Sequence, residues 1–573
     1  MAKATSTKTK STASTRPVAE EQSYAWVAWA IAALAFFLYL PGFRNAMVSM
    51  DDHSATVDNL AVTQFAPFSH FHNLGMYAPI TWLFYAIAYK LGGDAPVWYH
   101  IFSALAHALN TWLLYRLVSK LHTDWQIAAM AAALFAVHPL QVEAVAWIAG
   151  FSTPLFVCFF LMGLNVWVSR PEGDKIFSRP YLLVLGAFLL AALSKSAAVT
   201  FPLALLVIDA WRGKNWRSSS ALLEKAPFFL LSLLFGWLTL QTRDAAGHSL
   251  ATSATEFSMI DRLYMVSHTI LFYWGKFLAP FGLSIWYPFQ KMDGQWHWSY
   301  YAAPLALLAV AGAAWYFRRR ARLLWYALLF YLANIVVALP FATFGTFELR
   351  SDRYNYLAGI GIFVLLAALP GWLGQKRPAL LQPARIAVGL LALLWIGLSY
   401  VRITEWSSTV KLIDKAIAAQ GDNHGKAYLW RGMELGNQGK MQDALQDFTK
   451  AIETDSNLVD AYKYRGGIMG LARRYDQSVA DLSKYLQYHP EAAEQFFNRG
   501  LSYTNLGENE KALADFNKTL ELNPDFYRAY NARGNVYLAM GDTEKGNADL
   551  RQYQALDAKA KAKAKQKPKA NRK

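Results

Sequence analysis

A single cysteine, Cys158, stands inside an apolar run and excludes a disulfide framework, a Cys-x-x-Cys metal site and an iron–sulfur cluster. Charge is scarce too: Asp, Glu, Lys and Arg make up 17% of the 573 residues against 54% hydrophobic ones, too little to clothe a soluble enzyme in water. No small-residue cleavage pattern of the Ala-x-Ala kind follows the apolar run 24–40, which is therefore expected as a retained first span and not as a removed signal. A mean hydropathy of only +0.15 must then average a strongly apolar part with a strongly polar one, and the change falls near Glu405.

A helix crossing a bilayer needs about 20 largely apolar residues. After 24–40, candidates centre on 97–119, 126–140, 152–168, 181–194, 197–211, 226–242, 301–317, 323–340, 355–373 and 384–403, about eleven spans in an all-α polytopic domain over 23–404. Basic loops are retained in the cytoplasm. Lys3, Lys8, Lys10 and Arg16 place the N-terminus inside, with 1–22 as a disordered cytoplasmic tail. Arg116/Lys120, Arg170/Lys175/Arg179, Arg212/Lys214/Arg217, Arg318/Arg319/Arg320/Arg322 and Lys376/Arg377/Arg385 fall on that same side if 262–280 is re-entrant or interfacial. The loops 41–79 and 138–150, and everything after Arg402, are then outside. Compact loops and the lone cysteine point to a bacterial inner membrane, with the outside being the periplasm.

The net charge of +16 would suit a nucleic-acid binder if it were spread over a fold. It is not: Lys559, Lys561, Lys563, Lys565, Lys567, Lys569, Arg572 and Lys573 crowd the end, so 558–573 reads as a basic disordered tail and no nucleic-acid partner is expected. Before that tail, Arg431-Gly432, Arg465-Gly466, Arg499-Gly500 and Arg533-Gly534 recur every 34 residues, the period of the tetratricopeptide repeat. Phe496, Gly500, Tyr503, Gly507, Ala512, Phe516 and Pro524 fill that pattern's aromatic, small, turn and breaker positions. Three to four repeats over 405–557 form an α-solenoid, a surface that docks proteins or peptides and carries no candidate catalytic cluster.

Four groups of ionisable residues border the outside face. Asp51 and Asp52 follow the first span; as a pair they fit a catalytic base, a helix cap or, with His53, His70 and His72, a divalent-metal ligand set, although no ligand spacing on a helix supports the metal. His138 and Glu143 end another span, Lys195 sits between two short ones, and Arg350, Asp352, Arg353 and Tyr354 precede the next. Charge near a bilayer needs a partner or a cavity, and acid and base on one face can serve one reaction.

These residues resemble the transmembrane and tetratricopeptide repeat-containing O-mannosyltransferases, multi-spanning enzymes of the GT-C class. The resemblance runs through Asp51-Asp52, Ala78-Pro79-Ile80-Thr81, the stretch from Leu134 to Ile148 with its His138-Pro139 and Glu143-Ala144-Val145-Ala146-Trp147, Leu193-Ser194-Lys195, and Ser351-Asp352-Arg353-Tyr354-Asn355-Tyr356-Leu357. It implies an inverting transfer of a sugar from a polyprenyl-phosphate donor to a protein Ser/Thr hydroxyl or a glycan, outside the membrane. Asp51 or Asp52 would be the base, with Asp52 preferred without any spacing argument. Lys195, Arg350 and Arg353 would hold the donor phosphate, and His138, Glu143, Asp352 and Tyr354 would support the site. No cofactor is required, the bilayer and an acceptor protein or peptide are the partners, and the repeats present the acceptor. A lipid-linked oligosaccharide transferase or polymerase, and a non-catalytic scaffold for envelope assembly, are the alternatives.

Overall fold

The computed structural model describes residues 24–70, 73, 75–171, 173–245, 257–289, 291, 294–340, 350–420 and 424–566. The expected tail 1–22, His72 and residues 567–573 lie outside that set. Among the described residues the chain is helical, with one isolated bridge between Asn73 and Met76. It divides into two compact units, residues 1–412 and 413–573.

The first unit runs through α1 (Ala25–Phe37), the short α2 (Asp52–Ala55) and α3 (Leu60–Thr63), α4 (Pro79–Gly92), α5 (Pro96–Leu121), α6 (Trp125–Val137), α7 (Val142–Ala146), α8 (Ser152–Ser169), α9 (Arg179–Ser194) and α10 (Phe201–Trp211). It continues with α11 (Ser219–Ala245), α12 (Met259–Leu278), α13 (Trp298–Phe317), α14 (Arg322–Ile335), α15 (Asn355–Ala358), α16 (Ile360–Lys376) and α17 (Leu381–Glu405). Prolines open α4, α5, α9 and α10, where the missing N–H costs no helical bond. Gly93, at φ +63°, ends α4 in a conformation that disfavours a side chain.

Every apolar segment expected to span falls on one of these helices, but length and apolarity sort them. Among the described residues five are long and apolar enough to cross a membrane: Ala25–Arg44, Ala149–Ser169, Ser219–Thr242, Trp298–Phe317 and Pro378–Glu405. The count reaches seven if the bent pairs Trp125–Val137 with Pro139–Ala146 (56°) and Asp352–Ala358 with Ile360–Lys376 (62°) are each one span. Arg179–Ser194, Ser196–Trp211 and Arg322–Ala338 are shorter. α5 has the length, yet His100, His107, Asn110, Arg116 and Lys120 dilute it, and α12 carries Asp261, Arg262 and Lys276. The result is a polytopic helical membrane unit, its outer helices exposing large apolar side chains such as Trp29, Leu233, Leu305 and Leu393 that water would not tolerate as a continuous surface.

α8 is the hub: it is buried along most of its length and packs on α5 and α9. At its end remote from Ser152, Arg170 pairs with Asp174 at 3.0 Å and Glu224 at 2.8 Å, and the buried Lys225 pairs with Asp209 at 2.6 Å, so these charges are neutralised in place.

After α18 (Thr409–Gln420), four helix pairs follow one another in the second unit: α19 (Gly425–Asn437) with α20 (Met441–Thr454), α21 (Val459–Leu471) with α22 (Tyr475–Leu486), α23 (Ala493–Leu506) with α24 (Asn509–Leu522), and α25 (Tyr527–Ala539) with α26 (Thr543–Gln566). The recurring Arg-Gly dipeptide explains the pairing. Each arginine forks onto an aspartate sixteen residues on, Arg431–Asp447, Arg465–Asp481, Arg499–Asp515 and Arg533–Asp549, with donors at 2.7–2.8 Å. The glycine lets the helices touch, since a Cβ on Gly500 would stand 2.7 Å from Phe516 and one on Gly432 2.8 Å from Phe448.

One difference from the sequence reading concerns the basic tail. α26 continues to Gln566, so part of the Lys-Ala stretch is helical and not disordered. Alanine and lysine are good helix formers, and a helix already nucleated by packed turns extends at little cost; Asp557 and Lys561 add a pair at 2.7 Å on the same face.

Candidate active site

The loop after α1 is tied down at three points. Asn45 Nδ2 donates to the Ile403 carbonyl (3.0 Å), the Ser49 N–H donates to Thr409 Oγ1 (2.9 Å), and Asp52 receives the N–H groups of Val48 and Ala149, each at 2.8 Å, one on each carboxylate oxygen. Asp52 is 1% exposed. Burial pushes its carboxyl up to about 7, with the neighbouring Asp51 charge adding to the rise, although both backbone donors favour the ionised form. Asp51, half-buried at the N-terminus of α2, accepts the Ala55 N–H on its backbone carbonyl (2.8 Å), while its carboxylate accepts no hydrogen bond among the described residues. Burial raises its carboxyl, and the Arg353 guanidinium opposes the rise, which places the two in one electrostatic field.

Glu143 organises the opposite wall. Almost wholly buried, it accepts Ser351 Oγ and Arg353 Nη1 on one oxygen and the Asp352 N–H (2.9 Å) on the other. The ion pair fixes Arg353 over the Trp147 ring, 4.9 Å from its centroid, with Tyr354 on the other flank at 5.1 Å. Lys195 completes the group. Its Nζ donates to Thr153 Oγ1 (2.7 Å), while Thr81 Oγ1 bonds the carbonyl of Ser194 (2.8 Å) and holds the break between α9 and α10 in place. Burial lowers the Lys195 ammonium to about 7; Arg353 lowers it further and Glu143 raises it. Glu143 and Arg353 form one ion pair, Lys195 feels both charges, and Asp51 feels that of Arg353, so residues spread over some three hundred positions of sequence act on one another electrostatically.

Other expected residues stand elsewhere. Arg350 is spent on the 287–300 region: it donates to the Tyr287 and Pro288 carbonyls (3.2 and 3.0 Å), meets His268 at 3.3 Å and Tyr300 at 3.4 Å, and lies over Phe272 and Phe289. That leaves the guanidinium buried in packing. His138 is a brace: Nε2 faces the Phe277 carbonyl (3.1 Å), Nδ1 accepts the Leu140 N–H (3.1 Å), and the ring packs against Trp395 at 4.2 Å. With both nitrogens used it fastens the bend between α6 and α7. Asp352 lies behind Glu143, fully buried, receiving Tyr287 Oη (2.8 Å) and standing 3.7 Å from Arg402, which also bonds Glu405 (2.8 Å). Among the described residues no three His, Cys, Asp or Glu side chains gather as a metal site; His72 lies outside the described residues.

Trp147, Thr153, Tyr287 and Arg402 were not singled out in the sequence. Arg402 had a signal, since a cation inside an apolar run requires a buried partner; Trp147 lies within the stretch that carries Glu143. Thr153 and Tyr287 had none.

Fold and site together define a helical membrane protein with a buried carboxylate–cation cluster and a repeat unit. Tetratricopeptide repeat profiles match residues 425–458, 493–526 and 516–546. The chain is distantly and repeatedly similar to the O-mannosyltransferase family: 26% identical over 393 residues to the Protein O-mannosyl-transferase F38B6.6 of Caenorhabditis elegans (66% of this chain, 54% of that protein) and 31% over 185 residues to Tmtc1 of Drosophila melanogaster (29% and 21%). With TMTC3 of Mus musculus the identity is 30% over 135 residues (23% and 15%). The matched stretch thus spans about half the length of the nematode relative and less of the others. Among solved structures, MamA 41-end from Desulfovibrio magneticus RS-1 matches 26% of this chain and 85% of its own at 18% identity and a TM-score of 0.25.

Proposed function

We propose that this chain is an inverting membrane glycosyltransferase that moves a sugar from a polyprenyl-phosphate donor to a hydroxyl of a protein or glycan acceptor. The convergence of Asp51, Arg353, Glu143 and Lys195 carries the reading. A lipid phosphate leaves readily once its charge is met, so the chemistry needs one base on the acceptor hydroxyl and cations at the departing phosphate. Asp51 supplies the base, because among the described residues its carboxylate accepts no hydrogen bond, whereas Asp52 serves as the tie between the loop and Ala149. Arg353 and Lys195 receive the phosphate, and Glu143 aims Arg353; Arg350, His138 and Asp352 support the walls. A base facing the sugar opposite the leaving group gives inversion by single displacement.

In this reading the first unit crosses the membrane about eleven times, the shorter helices included, in a bacterial inner membrane. The N-terminus is cytoplasmic, the site and the repeats are periplasmic, and the repeats receive the acceptor protein. Support comes from the basic loops, the family-level similarity and the solenoid. The test is donor-dependent labelling of an acceptor by purified protein in liposomes, using mannose and other sugars on polyprenyl phosphate. Labelling that is lost in Asp51→Asn while the melting point holds supports the reading; labelling that never appears with any lipid-linked donor, or persists unchanged in Asp51→Asn, removes it.

A further inference from the structure

A cavity of about 420 Å³ opens between α5, α8 and α9 at the ends of these helices remote from the candidate site. Thr153, which holds Lys195, is the second residue of α8, whereas Val166 and Met162 lie about one and two turns before its far end and Arg170 just beyond it. At 1.5 Å per residue, Thr153 and Arg170 are about 25 Å apart along the axis. The cavity wall is apolar, built by Trp112, Met162, Val166 and Leu183, and Leu183 is 56% exposed, so the opening is lateral, through a surface made of hydrocarbon.

The polar end has an uneven charge. Arg116, Lys120 and Arg170 line it, and among the described residues no carboxylate does. Arg170 is neutralised by Asp174 and Glu224. Lys120 Nζ donates to the Asn165 carbonyl at 3.1 Å. Arg116 is exposed, lies 5.0 Å over the Trp112 ring and pairs with no carboxylate among the described residues. Asn165, 7% exposed and lining the cavity, spends its amide hydrogens on the Leu113 and Leu161 carbonyls and leaves Oδ1 without a donor among the described residues. An apolar slot open sideways, with a guanidinium at its polar end that no carboxylate among the described residues neutralises, matches an acyl chain continued by a phosphodiester: the phosphate suits Arg116.

We propose that this cavity is a binding site for an anionic glycerophospholipid, whose phosphate is held by Arg116 at the membrane face opposite the carboxylate–cation cluster. The site stands apart from the transferase reading and survives its failure. Full-length protein, delipidated in mild detergent, is mixed with phosphatidylglycerol or phosphatidylcholine, and retained lipid is counted by native mass spectrometry. Phosphatidylglycerol should be retained at least fivefold over phosphatidylcholine. Arg116→Gln should bring that ratio close to one, and Leu183→Trp, which fills the slot from its exposed wall, should lower phosphatidylglycerol retention by a similar factor. Both positions are at the surface, and melting without lipid checks that each variant folds. Equal retention of the two lipids, or a preference untouched by both substitutions, overturns the proposal. So does displacement of phosphatidylglycerol by millimolar inorganic phosphate, which makes the site one for free anions, or by equimolar polyprenyl phosphate, which makes it one for the donor.

Discussion

At the residue scale, two adjacent aspartates divide two jobs. Asp52 accepts the Val48 and Ala149 N–H groups, so Asp52→Asn turns an amide donor toward a backbone donor and leaves one of them unpaired; a loss of about 1–3 kcal/mol in unfolding free energy is expected, read by denaturant melts. Asp51→Asn breaks no side-chain hydrogen bond among the described residues and should leave stability within about 0.5 kcal/mol while removing turnover. The pH profile follows from the same groups. A base works ionised, so turnover rises through the raised pKa of Asp51, above the ordinary carboxylate value; a phosphate-binding lysine works protonated, so turnover falls as pH passes the Lys195 value of about 7. Lys195→Arg should extend activity to higher pH. An alkaline limb that stays in place in that variant rules Lys195 out as its source.

At the element scale, Glu143 is where the α6–α7 bend meets the segment before α15. It answers Ser351, Arg353 and the Asp352 N–H from a site 1% exposed, so Glu143→Gln takes the carboxylate away from the part-buried Arg353. Breaking one side of such a pair typically costs about 3–5 kcal/mol. The variant should melt well below the parent, and Glu143→Gln with Arg353→Met, both charges gone, should recover part of the loss without recovering turnover. In the repeats, Arg499→Ala removes a two-pronged contact to Asp515 and a further bond to Ser483, and should lower the second unit's stability by about 1–3 kcal/mol by the charge-assisted bonds lost, without touching transfer to a small soluble acceptor mimic. The same substitution tested at Lys511, an exposed surface pair, should change little.

At the scale of the whole molecule, reporter fusions at residues 320 and 420 should report opposite compartments, because the Arg318 to Arg322 cluster is a retained basic loop and the last span follows it. Matching compartments would separate Asp51 from Arg353 across the membrane and end the site assignment. Removal of the chain after residue 420 should leave donor use with a small acceptor mimic largely intact while weakening transfer to a protein acceptor, since the carboxylate–cation cluster lies wholly within the first unit. Loss of all donor use by a correctly inserted truncated protein would show that the repeats build part of the site.

Local patterns determined a good part of this protein before any coordinates. Helix formation and bilayer matching depend on apolar residues within one stretch of about 20, so the apolar helices were placed where they occur; the 34-residue period survives because each repeat packs mainly on its neighbour. Asp51, Glu143, Lys195 and Arg353 were all named from the sequence as ionisable residues beside apolar runs. Their separate roles were decided by tertiary structure alone. Ala149 reaches Asp52 across 97 residues and Glu143 reaches Ser351 across 208, and nothing in the immediate neighbourhood of Asp52 says that its carboxylate is occupied while that of Asp51 accepts no hydrogen bond among the described residues. Arg350 and Arg353 look interchangeable three residues apart, yet one guanidinium is enclosed by the 287–300 region and the other pairs with Glu143 over the Trp147 ring. A charged group's function depends on which partner neutralises it, and partners are chosen by packing between distant segments, a long-range property that hydropathy and spacing do not encode.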